Sequence, residues 1–125
     1  MLADARVAAV VPAVDIDRAR SFYEETLGLK AASGPDALMF ECGQGTMLAV
    51  YEHGAPTKAD HTQVAWEVKN IEEAVQGLGA RGVVFEQYDL PGLKTDERGI
   101  ASVGTARGAW FKDTEGNILS VVQFG

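Results

Sequence analysis

With 125 residues, 46% of them hydrophobic and 23% charged, the chain holds enough apolar material for one unstapled core. A net charge of −7 repels phosphate backbones and anionic lipid, which argues against nucleic acid and membrane surfaces as partners. The single cysteine, Cys42, excludes an internal disulfide and any Cys-x-x-Cys site. No window approaches the ~20 apolar residues of a bilayer span. The first six residues, Met1-Leu2-Ala3-Asp4-Ala5-Arg6, place an acid where a secretion signal needs a basic region, so a cytoplasmic protein is expected.

The β-branched run at 7–11 predicts a strand ended by Pro12, after which Asp15 can cap a helix. Ala19, Phe22, Tyr23 and Leu27 give that helix one apolar face, and Gly28 suits a left-handed stop. Short strands are predicted near 29–32, 37–42 and 46–52, separated by Gly34-Pro35-Asp36 and Gly43-Gln44-Gly45. Residues 53–61 have no apolar period and read as a linker. A strand at 62–68 follows, then a helix capped by Asn70, with Glu73 placed for a capping box, Ile71, Ala74, Val75 and Leu78 on its apolar face, and Gly79 as its stop. Residues 83–90 predict a strand, 91–106 a polar loop that either closes as a lid or is disordered, and 108–112 and 117–124 the last two strands.

Both halves therefore read β-α-β-β-β, and an internal repeat sets the architecture. Asp15 and Asn70 stand 55 residues apart, whereas Gly45 and Gly116 stand 71 apart, so the second half carries 16 additional residues, assigned mostly to 91–106. The expected fold is α+β: two βαβββ modules in a single domain (about 5–53 and 62–125), their mixed sheets forming a cup with helices outside. Ligands favour such concavities.

Val14-Asp15-Ile16-Asp17-Arg18-Ala19-Arg20-Ser21-Phe22-Tyr23, with Leu27-Gly28-Leu29, resembles the opening of the vicinal-oxygen-chelate (glyoxalase/bleomycin-resistance/extradiol dioxygenase) superfamily. Phe111-Lys112-Asp113-Thr114-Glu115-Gly116-Asn117 resembles its closing turn, with Thr114 where that turn has proline. The resemblance implies a homodimer, the cup being built within a chain or between chains. It also implies that enzymes of the family hold a divalent metal on one side chain from the first and one from the last strand of each module. Carried across, those positions are Ala8, Ala49, Gln63 and Ser120. Alanine has no lone pair, and a neutral amide and hydroxyl are weak ligands. No metal and no other cofactor is expected.

Other chemistry is sparse. His53 and His61 read as solvated linker residues, Ser102 has no neighbouring base, and no phosphate-binding glycine pattern occurs. Cys42 reads as an inert, buried thiol. Glu67 is on the same strand phase as Gln63 and is the one candidate acid–base group. Phe40 and Phe111 are repeat mates, as are Met39 and Trp110; one pair should line the cup and the other pack under the helices. The resemblance favours the phenylalanines as lining, joined by Tyr51, with Trp66 in the core. The expected ligand-binding set is thus Ala8, Phe40, Ala49, Tyr51, Gln63, Glu67, Phe111 and Ser120. Three functional classes fit: a metal-free protein that binds or sequesters a hydrophobic or aromatic small molecule, a lyase, isomerase or dioxygenase with an atypical metal or none, and a structural or regulatory homodimer. Binding ranks first, because the missing ligands remove the Lewis-acid chemistry.

Overall fold

A computed structural model describes the chain over residues 1–32 and 38–125. The turn read at Gly34-Pro35-Asp36 lies outside the described residues. The first half comprises β1 (Ala8–Ala13), α1 (Ile16–Ser21, continued by a π-helical turn, Phe22–Thr26), β2 (Lys30–Ala32), β3 (Leu38–Glu41) and β4 (Met47–Glu52). The second comprises β5 (Val64–Glu67), α2 (Ile71–Ala80), β6 (Asp89–Leu90), β7 (Leu93–Lys94), β8 (Ile100–Val103), β9 (Ala106–Lys112) and β10 (Ile118–Gln123). Two four-stranded mixed sheets result, ordered β1-β4-β3-β2 and β5-β10-β9-β8, together with a small β6–β7 hairpin. The two sheets do not close into one.

The repeat holds at the level of backbone register. Ala9 lies opposite Leu48 in parallel, and Val64 lies opposite Leu119, which are the same pairs displaced by 55 and 71 residues. Leu38 opposite Val50 likewise becomes Ala109 opposite Val121. Both capping side chains act as read, Asp15 accepting the Arg18 N–H at 3.0 Å and Asn70 the Glu73 N–H at 3.1 Å, but the Glu73 carboxylate makes no return bond to complete the capping box.

Four expectations need correction. Pro12 does not end β1 but sits within it, which is tolerable because β1 is an edge strand with no outward ladder to supply. Gly79 does not stop α2; the helix runs to Ala80, and Gly82, at φ +96°, makes the left-handed exit. Residues 83–90 do not form the predicted strand: Phe85 bridges Phe111, and only Asp89–Leu90 is extended in a hairpin. Residues 91–106 are not a plain loop; β8, within them, takes the sheet position that β2 holds in the first half. The additional residues therefore lie between α2 and β8.

One continuous core lies beneath the helices. Val11, Leu38, Phe40, Leu48 and Val50 pack with Ala19 and Tyr23 in the first half, and Ile71, Val75, Val83, Ala109, Phe111, Leu119 and Val121 in the second. Burying each such side chain contributes roughly 1.5–3 kcal/mol before entropy is counted. No helix among the described residues is long and apolar enough to cross a membrane.

Candidate functional site

Alternation along each strand leaves a second, helix-free face on both sheets. On the first sheet Val10, Ala49 and Met39 lie side by side across three strands. On the second, Ala65, Ser120 and Trp110 form one row, and Glu67, Val122 and Gly108 the next. Ala8, Ala49, Tyr51, Gln63, Glu67 and Ser120 all belong to this face by phase. Val10 is 58% exposed and Tyr51 42%, so the first module's face is open. On the second, Ser120 is buried.

Phe40 and Phe111 do not line this face. They are buried under the helices, Phe40 with its centroid 5.5 Å from Tyr23 and Phe111 5.6 Å from Phe85. Met39 and Trp110 take the helix-free side instead. Gly108 leaves room for this at Trp110, whose indole lies across it: an added Cβ would meet Cη2 at 3.1 Å. Tyr88 packs edge-on to the indole at 5.8 Å, and Nε1 donates to the Thr62 hydroxyl at 3.0 Å. Trp66 packs half-buried against the core, as expected. Sequence reading missed Tyr88 and placed Trp110 on the wrong side; the Gly-x-Trp spacing was the available signal.

The four positions that could hold a metal do not suit one. Ala8 and Ala49 carry no donor. The neutral Gln63 amide is held in the backbone and hairpin network, its Nε2 donating to Asn117 Oδ1 at 3.0 Å and its Oε1 accepting the Ile118 N–H at 2.9 Å. Ser120 Oγ donates to the Val121 carbonyl at 3.2 Å. No three His, Cys, Asp or Glu side chains cluster among the described residues. Glu67 is exposed, beside a cavity of about 580 Å³ between the start of β1, the hairpin at 42–47 and β5. Cys42, half-buried, borders the same cavity. His53 and His61 are exposed, the latter with Nδ1 3.3 Å from Asp60.

The closing hairpin fixes these faces relative to each other. Asp113 Oδ1 accepts the N–H groups of Glu115 and Asn117, and its Oδ2 accepts the Tyr23 hydroxyl at 2.6 Å and Asn117 Nδ2 at 2.8 Å. Burial, reinforced by the Asp113 charge, pushes the Tyr23 hydroxyl far up, so it stays a donor. Fully buried Asn117 also donates to the Pro12 carbonyl, joining β1 to the hairpin. Glu115 accepts the N–H groups of Val14 and Asp15 and pairs with Arg18 Nε at 2.8 Å. That arginine holds the Glu115 carboxyl down at about 2, against its burial. The two motifs that were read as local signatures thus bind each other across the modules.

Residues 6–121 match the model of the Glyoxalase/Bleomycin resistance protein/Dioxygenase superfamily, and the chain belongs to that superfamily. Its fold is similar to that of a glyoxalase family protein from Enterococcus faecalis (TM-score 0.72, 18% identity, 98% of this chain and 99% of that one). It is similar to TnmS3, an antibiotic binding protein from Streptomyces sp. CB03234 (TM-score 0.67, 20% identity, 98% of each chain). Another similar fold is the fosfomycin resistance protein FosX from Mesorhizobium loti (TM-score 0.66, 11% identity, 98% of this chain and 93% of that one). At these identities the likeness establishes the shared fold. No curated protein matches the chain in sequence.

Proposed function

We propose that this protein binds a flat, largely apolar small molecule on its helix-free faces without a metal. The observation that carries the reading is the donor set: two alanines, a serine bonded to its own strand and a neutral glutamine amide already bonded at both its nitrogen and its oxygen stand where a chelate would be built. Around them the surface is Met39, Ala49, Tyr51, Ala65 and Trp110, which offers stacking and apolar contact rather than Lewis acidity. The antibiotic-binding member of the fold supports the same reading.

The open first face favours a second copy of the chain as its cover, because Val10 and Tyr51 would otherwise stay in water. The protein is proposed to act as a cytoplasmic homodimer whose cup is completed between copies. Changing Val10→Lys should shift the species seen by light scattering from dimer to monomer; an unchanged mass would remove this face from the interface.

Binding is tested by fluorescence. The chain has two tryptophans, so Trp66→Phe leaves Trp110 as the only reporter. Bleomycin and planar aromatic compounds titrated into this variant should give saturable quenching, and Ala49→Trp should weaken it by about tenfold, ~1.4 kcal/mol. Near-stoichiometric divalent metal in protein purified without added metal would overturn the metal-free reading. Saturable quenching unaffected by Ala49→Trp would place the ligand elsewhere.

A further inference from the structure

A second cleft, of about 640 Å³, opens between the β6–β7 hairpin, the turn at 96–99 and the first residues of β8 and β9. It belongs to the helix side of the molecule. Arg107 shares strand phase with Ala109 and Phe111, which are core, and its guanidinium pairs with Glu72 in the first turn of α2. The cleft is therefore separate from the helix-free faces.

Its charge is opposite to that of the chain. Lys94, Arg98 and Arg107, three of 11 basic residues, converge on it against one lining acid, Asp96, in a protein of net charge −7. That acid is occupied: its Oδ1 accepts the N–H groups of Arg98 at 2.8 Å and Ile100 at 3.0 Å, and its Oδ2 accepts from Arg98 Nη2 at 3.1 Å. Glu72 and Gln123 hold Arg107 in place but leave part of its guanidinium fork unused. Lys94 has no ion-pair partner among the described residues; Asp89 lies opposite it in the hairpin without forming a pair. The remaining wall is apolar, made of Leu90, Leu93 and Ile100.

We propose that this cleft binds a small organic anion, a phosphomonoester or carboxylate carrying a short apolar tail. The head is held by Lys94 and the free N–H groups of Arg98 and Arg107, and the tail lies on Leu90 and Leu93. Planar N–H forks suit either oxyanion, and an apolar tail replaces water on the leucines. The volume falls within the ordinary range for ligand sites, roughly 300–1,000 Å³.

Calorimetry at low ionic strength with phenyl phosphate, benzoate, inorganic phosphate and benzyl alcohol tests this. Phenyl phosphate or benzoate should bind saturably at one site per chain, with inorganic phosphate weaker and benzyl alcohol weaker still; the stronger of the first two names the head group. Lys94→Glu and Arg98→Glu should each weaken binding by about tenfold or more, and added salt should do the same. Ala49→Trp should leave it unchanged, which separates this site from the helix-free face. Both charge reversals are at exposed positions, and a cooperative melt confirms that each variant is folded. No saturable binding of either anion, affinity indifferent to both reversals, or equal binding of benzyl alcohol would overturn the proposal.

Discussion

The hairpins that close the two modules are built on one plan and do opposite things. Cys42, Gln44, Gly45 and Thr46 are the counterparts of Asp113, Glu115, Gly116 and Asn117, 71 residues on. Both hairpins close with the same backbone bond, Cys42 N–H to Thr46 carbonyl at 2.8 Å and Asp113 N–H to Asn117 carbonyl at 3.1 Å. The second carries carboxylates and an amide that grip α1, β1 and β5. The first has a thiol, a neutral amide and a hydroxyl, and ends beside the cavity under β5. The helices differ to match, since Leu78 stands in α2 where α1 has Tyr23 and offers no hydroxyl. One hairpin is a lock and the other a rim: the polar bonds between modules gather in one copy, and the other borders a cavity.

Removing the lock should show the largest effect. Asp113→Ala strands the buried Tyr23 hydroxyl and three N–H donors of the hairpin, and one buried unsatisfied group alone costs about 1–3 kcal/mol. A loss on the order of 4 kcal/mol in urea unfolding is expected, while Cys42→Ala at the matching rim position should cost about 1 kcal/mol or less. Equal losses would erase the distinction between the hairpins.

Glu115 should come next, and its effect depends on pH. Its folded carboxyl titrates at about 2, below its ordinary 4.5, chiefly because Arg18 donates to it. A depressed carboxylate contributes stability that is complete above about pH 5 and is lost as pH falls through 4.5 toward 2. The contribution is on the order of 3 kcal/mol at most, less the solvent screening of half-exposed Arg18. Denaturant midpoints measured between pH 7 and 2.5 should fall across that window in the parent chain, with a clearly shallower fall in Glu115→Gln. Parallel curves would assign the acid sensitivity elsewhere.

Those two residues mark the limit of what the sequence disclosed. Caps, turns and β-branched runs are local, and they placed both helices and the 55- and 71-residue offsets that relate the two modules. Asp113 and Asn117 were legible as turn residues, but their partners lie 90 and 105 residues away. The strands that failed at 83–90 and formed at 100–103 depend on pairing with the free edge of β9, a tertiary matter: residues 100–103 take Ala106–Ala109, and Phe85 only bridges Phe111. Within the candidate site, the resemblance supplied Ala8, Ala49, Gln63 and Ser120, and strand phase added Tyr51 and Glu67. Phase left Met39-Phe40 and Trp110-Phe111 open, because adjacent bulky residues put apolar mass on both faces and period two cannot say which face meets a helix, and the resemblance chose the wrong pair.

A mid-sized effect bears on that ambiguity. Gly108→Ala would press a methyl against the Trp110 ring at 3.1–3.3 Å, tighter than ordinary contact. About 1–2 kcal/mol of destabilisation is expected. Read in the Trp66→Phe background, the indole emission should also shift to the red as the ring lifts from Gly108. Unchanged emission would mean that the ring does not depend on the missing side chain, and that the glycine was no guide to its side.

The smallest effect should fall on the rim and carry the opposite sign. Gln44 is the one non-glycine residue at positive φ among those described, at +57°, while its counterpart Glu115 in the lock is in an ordinary conformation. A left-handed conformation costs an L side chain roughly 1 kcal/mol, and glycine escapes it while losing more unfolded-state entropy, so Gln44→Gly should stabilise by about 0.5 kcal/mol or less. The gain should appear as a small rise in Tm with no change in acid sensitivity, because nothing in the lock is touched. If instead Gln44→Gly destabilises by more than about 1 kcal/mol, the Gln44 side chain makes a contact that repays its strain. The first hairpin would then be a second lock rather than a rim.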